Sequence, residues 1–219
     1  GDIGCYTLGN AMPLNMVDTC LCMGAGITIA QGLHRIEPYA VNFAFAGDST
    51  FFASGMTGIV NAVYNETDIV LVILDNATTA MTGHQVHPGT GKTLMGNVVE
   101  KISIEKILRA IGIEYVKTVD PFELEEAIDT VREAVGKPGV KAIIFQSPCI
   151  ALIKPAQKYV VDQERCINCM KCIKELGCPA TIKADGKVKI DKNLCYGCGI
   201  CASVCPVNAI GMEGGAAHE

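Results

Sequence analysis

The sequence predicts an α/β protein with two domains: one built on a parallel β-sheet, followed by a small, cysteine-rich α+β domain. Segments suited to buried strands alternate with helical stretches between residues 41 and 146, which is typical of a parallel sheet covered by helices. Eight of the 12 cysteines then follow within residues 166–205. We therefore predict domains of residues 1–153 and 154–219.

Strands and helices alternate regularly through the first domain. The predicted strands are 41–46, 69–74, 114–118 and 140–146. The predicted helices are 50–64, 104–111 and a third that ends near Val135. Asp120 and Pro121 predict the start of this third helix, as its N-cap and first residue. The segment 77–96 is polar and lacks periodicity, which indicates a functional loop, and residues 150–158 are the predicted linker.

Composition excludes several classes of function. The chain has 219 residues, a formal charge of −5 and 49% apolar residues. No apolar run approaches the roughly 18 residues that span a bilayer, and no signal-like segment opens the chain. The sequence contains no block of basic residues that would favour binding of nucleic acid. We expect no membrane or nucleic-acid partner and, given the many thiols, a reducing cytoplasm. The opening Gly1–Cys5 reads as the middle of a motif, so we expect a piece of a longer subunit.

The cysteines of the second domain form two near-copies of one pattern. The copies run Cys166-x2-Cys169-x2-Cys172-x5-Cys178-Pro179 and Cys195-x2-Cys198-x2-Cys201-x3-Cys205-Pro206. Over residues 160–211 this resembles bacterial two-cluster ferredoxins, in which the fourth thiolate comes from the other copy. The resemblance implies one 4Fe-4S cluster on the first triplet plus Cys205, and a second on the second triplet plus Cys178. The longer spacing in the first copy, within residues 173–177, lengthens a loop or adds a helical turn.

Zinc and disulfides are the alternatives for these cysteines. Two CxxC pairs can form a tetrahedral zinc site, but that needs four cysteines rather than two triplets each followed by Cys-Pro. Disulfide frameworks belong to small secreted domains. The pattern favours clusters over both.

Polar residues follow two of the predicted strands. Gly47-Asp48-Ser49 follows the first strand and Asp75-Asn76 the second. Parallel strands bring these ends to one edge, where ligands of open α/β sheets bind. Carboxylate and amide oxygens suit Mg²⁺ with a phosphate ligand, and Gly47 allows a phosphate to approach the backbone. The alternative is two ordinary turns. Gly24-Ala25-Gly26 lacks the third glycine of a dinucleotide motif.

The two polar segments resemble the thiamine-diphosphate motif, GDG followed some 25–30 residues later by Asn-Asn. This chain has Gly-Asp-Ser and Asp-Asn instead. The resemblance implies that Asp48, Asn76 and the carbonyl of Thr78 bind Mg²⁺, and that Ser49 lies near the diphosphate.

Longer segments resemble the large (alpha) subunit of indolepyruvate ferredoxin oxidoreductase, in its C-terminal half. These segments are 1–9 (GDIGCYTLG), 47–52 (GDSTFF), 74–85 (LDNATTAMTGHQ) and 146–149 (QSPC). The resemblance implies that Gly83 and His84 lie near the cofactor. It also implies that Cys5 and Cys149 supply half of a third cluster close to it. The other two cysteines, and the glutamate that activates thiamine, then lie outside this sequence.

The implied activity is the oxidation of an aryl 2-oxo acid with coenzyme A, with electrons passing to ferredoxin, in a complex with a smaller (beta) subunit. The same chemistry on pyruvate, a branched 2-oxo acid or 2-oxoglutarate is one alternative. A non-enzymatic electron-transfer subunit is another. Met23 and Met81 are expected to shape the pocket, and Cys20 and Cys22 to pack in the core. His87, like His84, flanks the thiamine loop.

Overall fold

The computed structural model describes residues 1–154 and 157–214. The chain divides into two compact units. The first comprises Gly1–Leu8 and Val17–Cys149, and the second comprises Gly9–Met16 and the described part of Ile150–Glu219. Two residues of the predicted linker, Pro155 and Ala156, lie outside the described residues.

The first unit contains a four-stranded parallel sheet in the order β1-β2-β4-β3. Its elements are α1 (Ala25–Ile36), β1 (Phe43–Gly47), α2 (Asp48–Thr50), a π-helical turn (Phe51–Gly55), α3 (Met56–Tyr64), β2 (Ile69–Asp75), a 3-10 turn (Pro88–Thr90), α4 (Ile104–Ala110), β3 (Val116–Val119), α5 (Leu124–Val135) and β4 (Val140–Gln146). A 3-10 helix, Cys5–Asn10, precedes them.

Helices cover both faces of this sheet. Ile27 of α1, Ile59 of α3 and Leu108 of α4 are fully buried against one face, and Ala134 of α5 is buried against the other. Strands covered on both faces are apolar along their buried length, as β2 is from Ile69 to Leu74. The predicted α/β class is confirmed.

The second unit has two antiparallel sheets and two short helices. Its elements are β5 (Tyr159–Val161), α6 (Lys171–Lys174), β6 (Thr181–Ala184), β7 (Lys187–Ile190), α7 (Ile200–Ser203) and β8 (Ile210–Met212). Strand β5 pairs with β8, and β6 with β7. Each helix begins next to a cysteine triplet and has four residues, so the longer spacing of the first copy lengthens the connection after α6 rather than the helix.

Two features differ from the sequence-based expectation. Helix α5 begins at Leu124, not at Pro121, because Asp120 closes a turn: its Oδ1 accepts a hydrogen bond from the N–H of Phe122 at 2.9 Å. Helix α1 was not predicted, because two glycines within it and a third at its N-cap make the segment a poor helix former. Its N-cap, Gly24, has φ 85°, and close packing requires Gly26.

No helix among the described residues is both long and apolar enough to cross a bilayer.

Replacing Gly26 by alanine should destabilise the first unit, because a Cβ atom there would lie 2.5 Å from the carbonyl oxygen of Gly1. We expect the free energy of unfolding to fall by about 1–3 kcal/mol, measured by chemical denaturation. Gly32 of the same helix has open space around it, so Gly32→Ala should stabilise by about 0.5–1 kcal/mol. Equal stabilities of the two variants would contradict the close packing at Gly26.

Candidate functional site

Strands β1 and β2 end at the same edge of the sheet. Gly47 pairs with Leu74 in the parallel register, so Asp48 and Asp75 both follow at this edge. Strand β4 ends beside them, and the N–H of Cys149 donates to the carbonyl of Asn76 at 2.9 Å. The structure therefore brings together the polar segments that the sequence singles out.

A cleft of about 240 Å³ opens at this edge. Most of the residues predicted to bind the cofactor line it, namely Gly47, Asp48, Ser49, Asn76 and Thr78. Cys5, Met23 and Met81 also line it. Gly83 and His84 do not, and His84 is exposed at the surface with φ 61°. A role for these two residues stays a prediction.

Asp48 is held rigidly at the base of this edge. It is 1% exposed, and its Oδ1 accepts a hydrogen bond from the N–H of Ser49 at 2.8 Å. Its Oδ2 lies 3.1 Å from Nε2 of His87. Because Nδ1 of His87 accepts from the N–H of Gly89, Nε2 carries the proton that is donated to Asp48. The side chain of His87 is 5% exposed and packs beside Phe52.

A second carboxyl group adjoins Asp48. Burial raises the pKa of Asp75; a hydrogen bond from Gln146 lowers it, and the neighbouring Asp48 raises it again. Two adjacent carboxylates repel each other unless a proton or a cation lies between them. This edge is therefore suited to a cation.

The loop after β2 is tightly turned. Ala77 has φ 61°, which is uncommon for a residue other than glycine. Asn76 Oδ1 accepts from the N–H of Thr78 at 3.2 Å, and Thr79 Oγ1 donates to Ser49 Oγ at 2.8 Å. Carboxylate, amide and hydroxyl oxygens thus converge here, and this donor set fits Mg²⁺ with a diphosphate.

Asp2 and Tyr6 form hydrogen bonds with the backbone at this edge, and these contacts were not predicted from the sequence. Asp2 is 2% exposed and accepts hydrogen bonds from the N–H groups of Gly24 at 2.9 Å and Gly47 at 3.0 Å. The hydroxyl of Tyr6 donates to the carbonyl of Leu74 at 2.7 Å. No local sequence signal reveals these contacts, because the partners lie 22 to 68 residues away.

The charges of the two candidate cluster cysteines of the first unit both act on the pKa of Tyr6. Burial raises its pKa most, and Asp48, Cys5, Asp75 and Cys149 add to the shift through their charges, in that order. Cys5 and Cys149 are thus both within electrostatic range of one hydroxyl. Cys20 is half-buried, whereas Cys22 is exposed, so the predicted packing role does not describe Cys22.

The eight cysteines of the second unit line two cavities. The first triplet lines one cavity together with Cys205, and the second triplet lines the other together with Cys178. This is the exchange of fourth residues that the spacing predicts. Burial raises the pKa of Cys201 to about 12, and Cys198, Cys178 and Cys195 contribute to this shift. Burial also raises the pKa of Cys172, followed by the effects of Cys205 and Cys169.

Within residues 1–154 and 157–214, no three His, Cys, Asp or Glu side chains converge closely enough to hold a single metal ion. In a 4Fe-4S cluster each of the four thiolates binds a different iron, so the four sulfur atoms need not converge on one point. Each cysteine cavity offers the four thiols that one such cluster needs.

Comparison with known proteins identifies the class. The thiamine pyrophosphate enzyme family, C-terminal TPP-binding domain, matches residues 2–145, and a 4Fe-4S dicluster domain matches residues 159–212. The chain belongs to the thiamine pyrophosphate enzyme family.

Curated relatives show similarity that is more specific than the family. The chain is 44% identical over 216 residues to the indolepyruvate oxidoreductase subunit IorA of Archaeoglobus fulgidus, covering 95% of this chain and 34% of that protein. The cluster region is 48% identical over 56 residues to pyruvate synthase subunit PorD of Methanothermobacter marburgensis, covering 26% of this chain and 65% of that protein. The predicted resemblance to the indolepyruvate enzyme is confirmed. The chain spans about a third of the length of the curated IorA relatives.

A solved structure supports the fold. The 2-oxoglutarate:ferredoxin oxidoreductase of Magnetococcus marinus superimposes with a TM-score of 0.60 at 19% identity, covering 68% of this chain and 53% of that chain.

His87→Ala should weaken the binding of Mg²⁺ with thiamine diphosphate by about tenfold to a hundredfold, because second-layer partners orient metal-binding carboxylates. Calorimetry on the cluster-containing protein measures this. His84→Ala is the matched comparison: its exposure predicts unchanged binding, whereas a role near the cofactor predicts weaker binding. Unchanged binding in His87→Ala would contradict the role of His87 in holding Asp48.

The cluster-free protein should lose stability at alkaline pH. The folded state keeps Cys201 protonated up to a pKa of about 12, whereas the unfolded thiol ionises near 9.0. The thiol of Cys201 therefore contributes fully to the free energy of unfolding below pH 9, and this contribution is lost as the pH rises to 12. Thermal denaturation between pH 8 and pH 12 should show a smaller pH dependence in Cys201→Ala than in the wild type. An identical pH dependence would contradict the shifted pKa.

Proposed function

We propose that this chain is the cofactor- and cluster-binding portion of a 2-oxo-acid:ferredoxin oxidoreductase acting on aryl 2-oxo acids. The reaction converts a 2-oxo acid, coenzyme A and two oxidised ferredoxins into an acyl-CoA, CO2, two reduced ferredoxins and a proton. One observation carries the proposal: an oxygen-rich sheet edge and two four-cysteine cavities occur in a single chain. A plain decarboxylase has no use for the cysteine cavities.

In this proposal Asp48, Asn76 and the carbonyl of Thr78 bind Mg²⁺. Gly47 and Ser49 adjoin the diphosphate, and Gly83 and His84 belong to the loop that covers it. Thiamine diphosphate, when bound, supplies the stabilisation of a carbanion after loss of CO2. The buried position of Asp48 and its hydrogen bonds to Ser49 and His87 support a fixed metal ligand.

The cysteines divide into three groups in the proposal. The first triplet with Cys205 and the second triplet with Cys178 each hold a 4Fe-4S cluster, and their shared cavities support this. Cys5 and Cys149 supply half of a third cluster, completed by residues outside this sequence. Cys5 lines the cleft together with Asn76, whose carbonyl accepts a hydrogen bond from the N–H of Cys149, and this supports the grouping.

The similarity to IorA proteins supports the aryl substrate, together with the apolar side chains of Ile3, Met23 and Met81 in the cleft. The partners we propose are a smaller (beta) subunit, soluble ferredoxin, coenzyme A and the 2-oxo acid. We propose a cytoplasmic location, because a reducing compartment preserves thiolate-bound clusters. Residues 1–153 and 154–219 form the two domains of the proposal.

The test is anaerobic and uses the intact parent subunit with its smaller partner. Indolepyruvate, phenylpyruvate, pyruvate and 2-oxoglutarate are compared as electron donors for viologen, with coenzyme A, Mg²⁺ and thiamine diphosphate present. We expect fast reduction with the aryl acids alone. Reduction with pyruvate or 2-oxoglutarate would keep the reaction type and overturn the substrate.

Asp48→Ala should abolish this activity, because it removes the carboxylate that binds the metal, while iron content and the visible spectrum stay unchanged. Metal analysis and absorbance check the clusters, and calorimetry checks cofactor binding. Retained cofactor binding in Asp48→Ala would contradict the assignment of Asp48 as a metal ligand, whereas absence of cofactor binding in the wild type would favour the electron-transfer subunit.

A further inference from the structure

Charge is unevenly distributed along the chain. Residues 154–219 contain nine of the 18 Lys and Arg but only seven of the 23 Asp and Glu. This part is therefore +2, whereas residues 1–153 are −7. Each bound cluster with its four thiolates adds negative charge to this part, so positive charge that a partner meets is local to the surface.

Strands β6 and β7 form a hairpin with two different faces. The pairs Thr181–Ile190 and Lys183–Val188 share one face, and Ile182–Lys189 and Ala184–Lys187 share the other. Asp185 and Gly186 turn the hairpin with positive φ angles, as a two-residue turn requires.

The inner face covers both cysteine cavities. Val188 is 1% exposed and lines the cavity of the first triplet, and Thr181 and Ile190 line the cavity of the second. The hydroxyl of Thr181 also donates to the carbonyls of Cys172 at 3.4 Å and Cys178 at 3.0 Å. The hairpin is therefore anchored to a cysteine from each cavity.

The outer face is exposed and cationic. Ile182 is 39% exposed, and Lys187 and Lys189 project beside it. Asp185 offsets Lys189, with an ion pair of 2.6 Å. Among the described residues no carboxylate forms an ion pair with Lys187. A small apolar centre with a polar, solvent-accessible border has the arrangement of an interface core and its rim.

We propose that this outer face, consisting of Ile182, Ala184, Lys187 and Lys189, is the docking surface for an acidic one-electron carrier protein. The proposal rests on the proposed function. Only one two-stranded sheet separates the face from the cavities, and sheets pack at about 10 Å from their neighbours. In each encounter one cluster loses one electron and one carrier gains it. Two encounters remove the two electrons of one substrate oxidation.

The positive charge of the outer face indicates that the protein that binds it is acidic. Redox encounters are small and transient, and attraction between opposite charges speeds them without tight binding. The acidic surface of the carrier would meet Lys187, which has no ion-pair partner among the described residues. A partner subunit covering this face is the competing occupant, and it would require a stable assembly instead.

The test uses the intact parent subunit with its smaller partner and an acidic two-cluster ferredoxin as the probe. Binding of oxidised ferredoxin is measured by biolayer interferometry at ionic strengths of about 0.05 M and about 0.5 M. We expect Lys187→Glu to raise Kd by about fivefold to tenfold at low salt and to have little effect at high salt. Ferredoxin reduction by the 2-oxo acid should fall similarly, with viologen reduction unchanged.

Lys106→Glu on α4 is the matched control, because it changes net charge equally and Lys106 is also exposed without an ion pair among the described residues. It should leave ferredoxin binding unchanged. Any of three results would overturn the docking surface. These are a wild-type Kd in Lys187→Glu, an equal effect of Lys106→Glu, and loss of the smaller subunit from Lys187→Glu. Absence of 2-oxo-acid-dependent viologen reduction in the wild type would instead count against the proposed function.

Discussion

The parallel register of β1 with β2 is the constraint on which the first unit depends. Pairing of Gly47 with Leu74 brings Asp48 beside Asp75, although their positions are separated by a helix and a strand. Two neighbouring carboxyl groups are unfavourable without compensation. Donors from Ser49, His87 and Gln146 offset part of this cost, and a bound cation would offset the rest.

Local patterns explain which parts of the fold could be predicted. Strand β2 is apolar from Ile69 to Leu74 because helices cover both of its faces, so the strand could be predicted from its sequence. Cysteine spacing likewise encodes the exchange of Cys178 and Cys205 between the two cavities. Helix α1 could not be predicted, because Gly26 is required by packing rather than by helix propensity. Asp2, Tyr6 and His87 act through distant partners, which no local pattern encodes.

Each unit builds its chemistry from a different kind of atom. The first presents oxygen atoms at a sheet edge, which suits a hard cation and a diphosphate. The second presents thiols in two cavities beneath a cationic hairpin, which suits clusters and an acidic carrier. Membership of the thiamine pyrophosphate enzyme family accounts for the first, and the dicluster match accounts for the second. Their combination in one chain supports the proposed oxidation rather than simple decarboxylation.

The most direct test of the oxygen-rich edge is electron-nuclear double resonance on the intact enzyme with Mn²⁺ in place of Mg²⁺ and with its clusters oxidised. Thiamine diphosphate should produce a phosphorus coupling on bound Mn²⁺, because metal and diphosphate share this edge. Asn76→Ala should lose the bound Mn²⁺ and its coupling, since it removes an amide oxygen from the ligand set. A bound Mn²⁺ without phosphorus coupling, or the same coupling in Asn76→Ala, would contradict this assignment of the site.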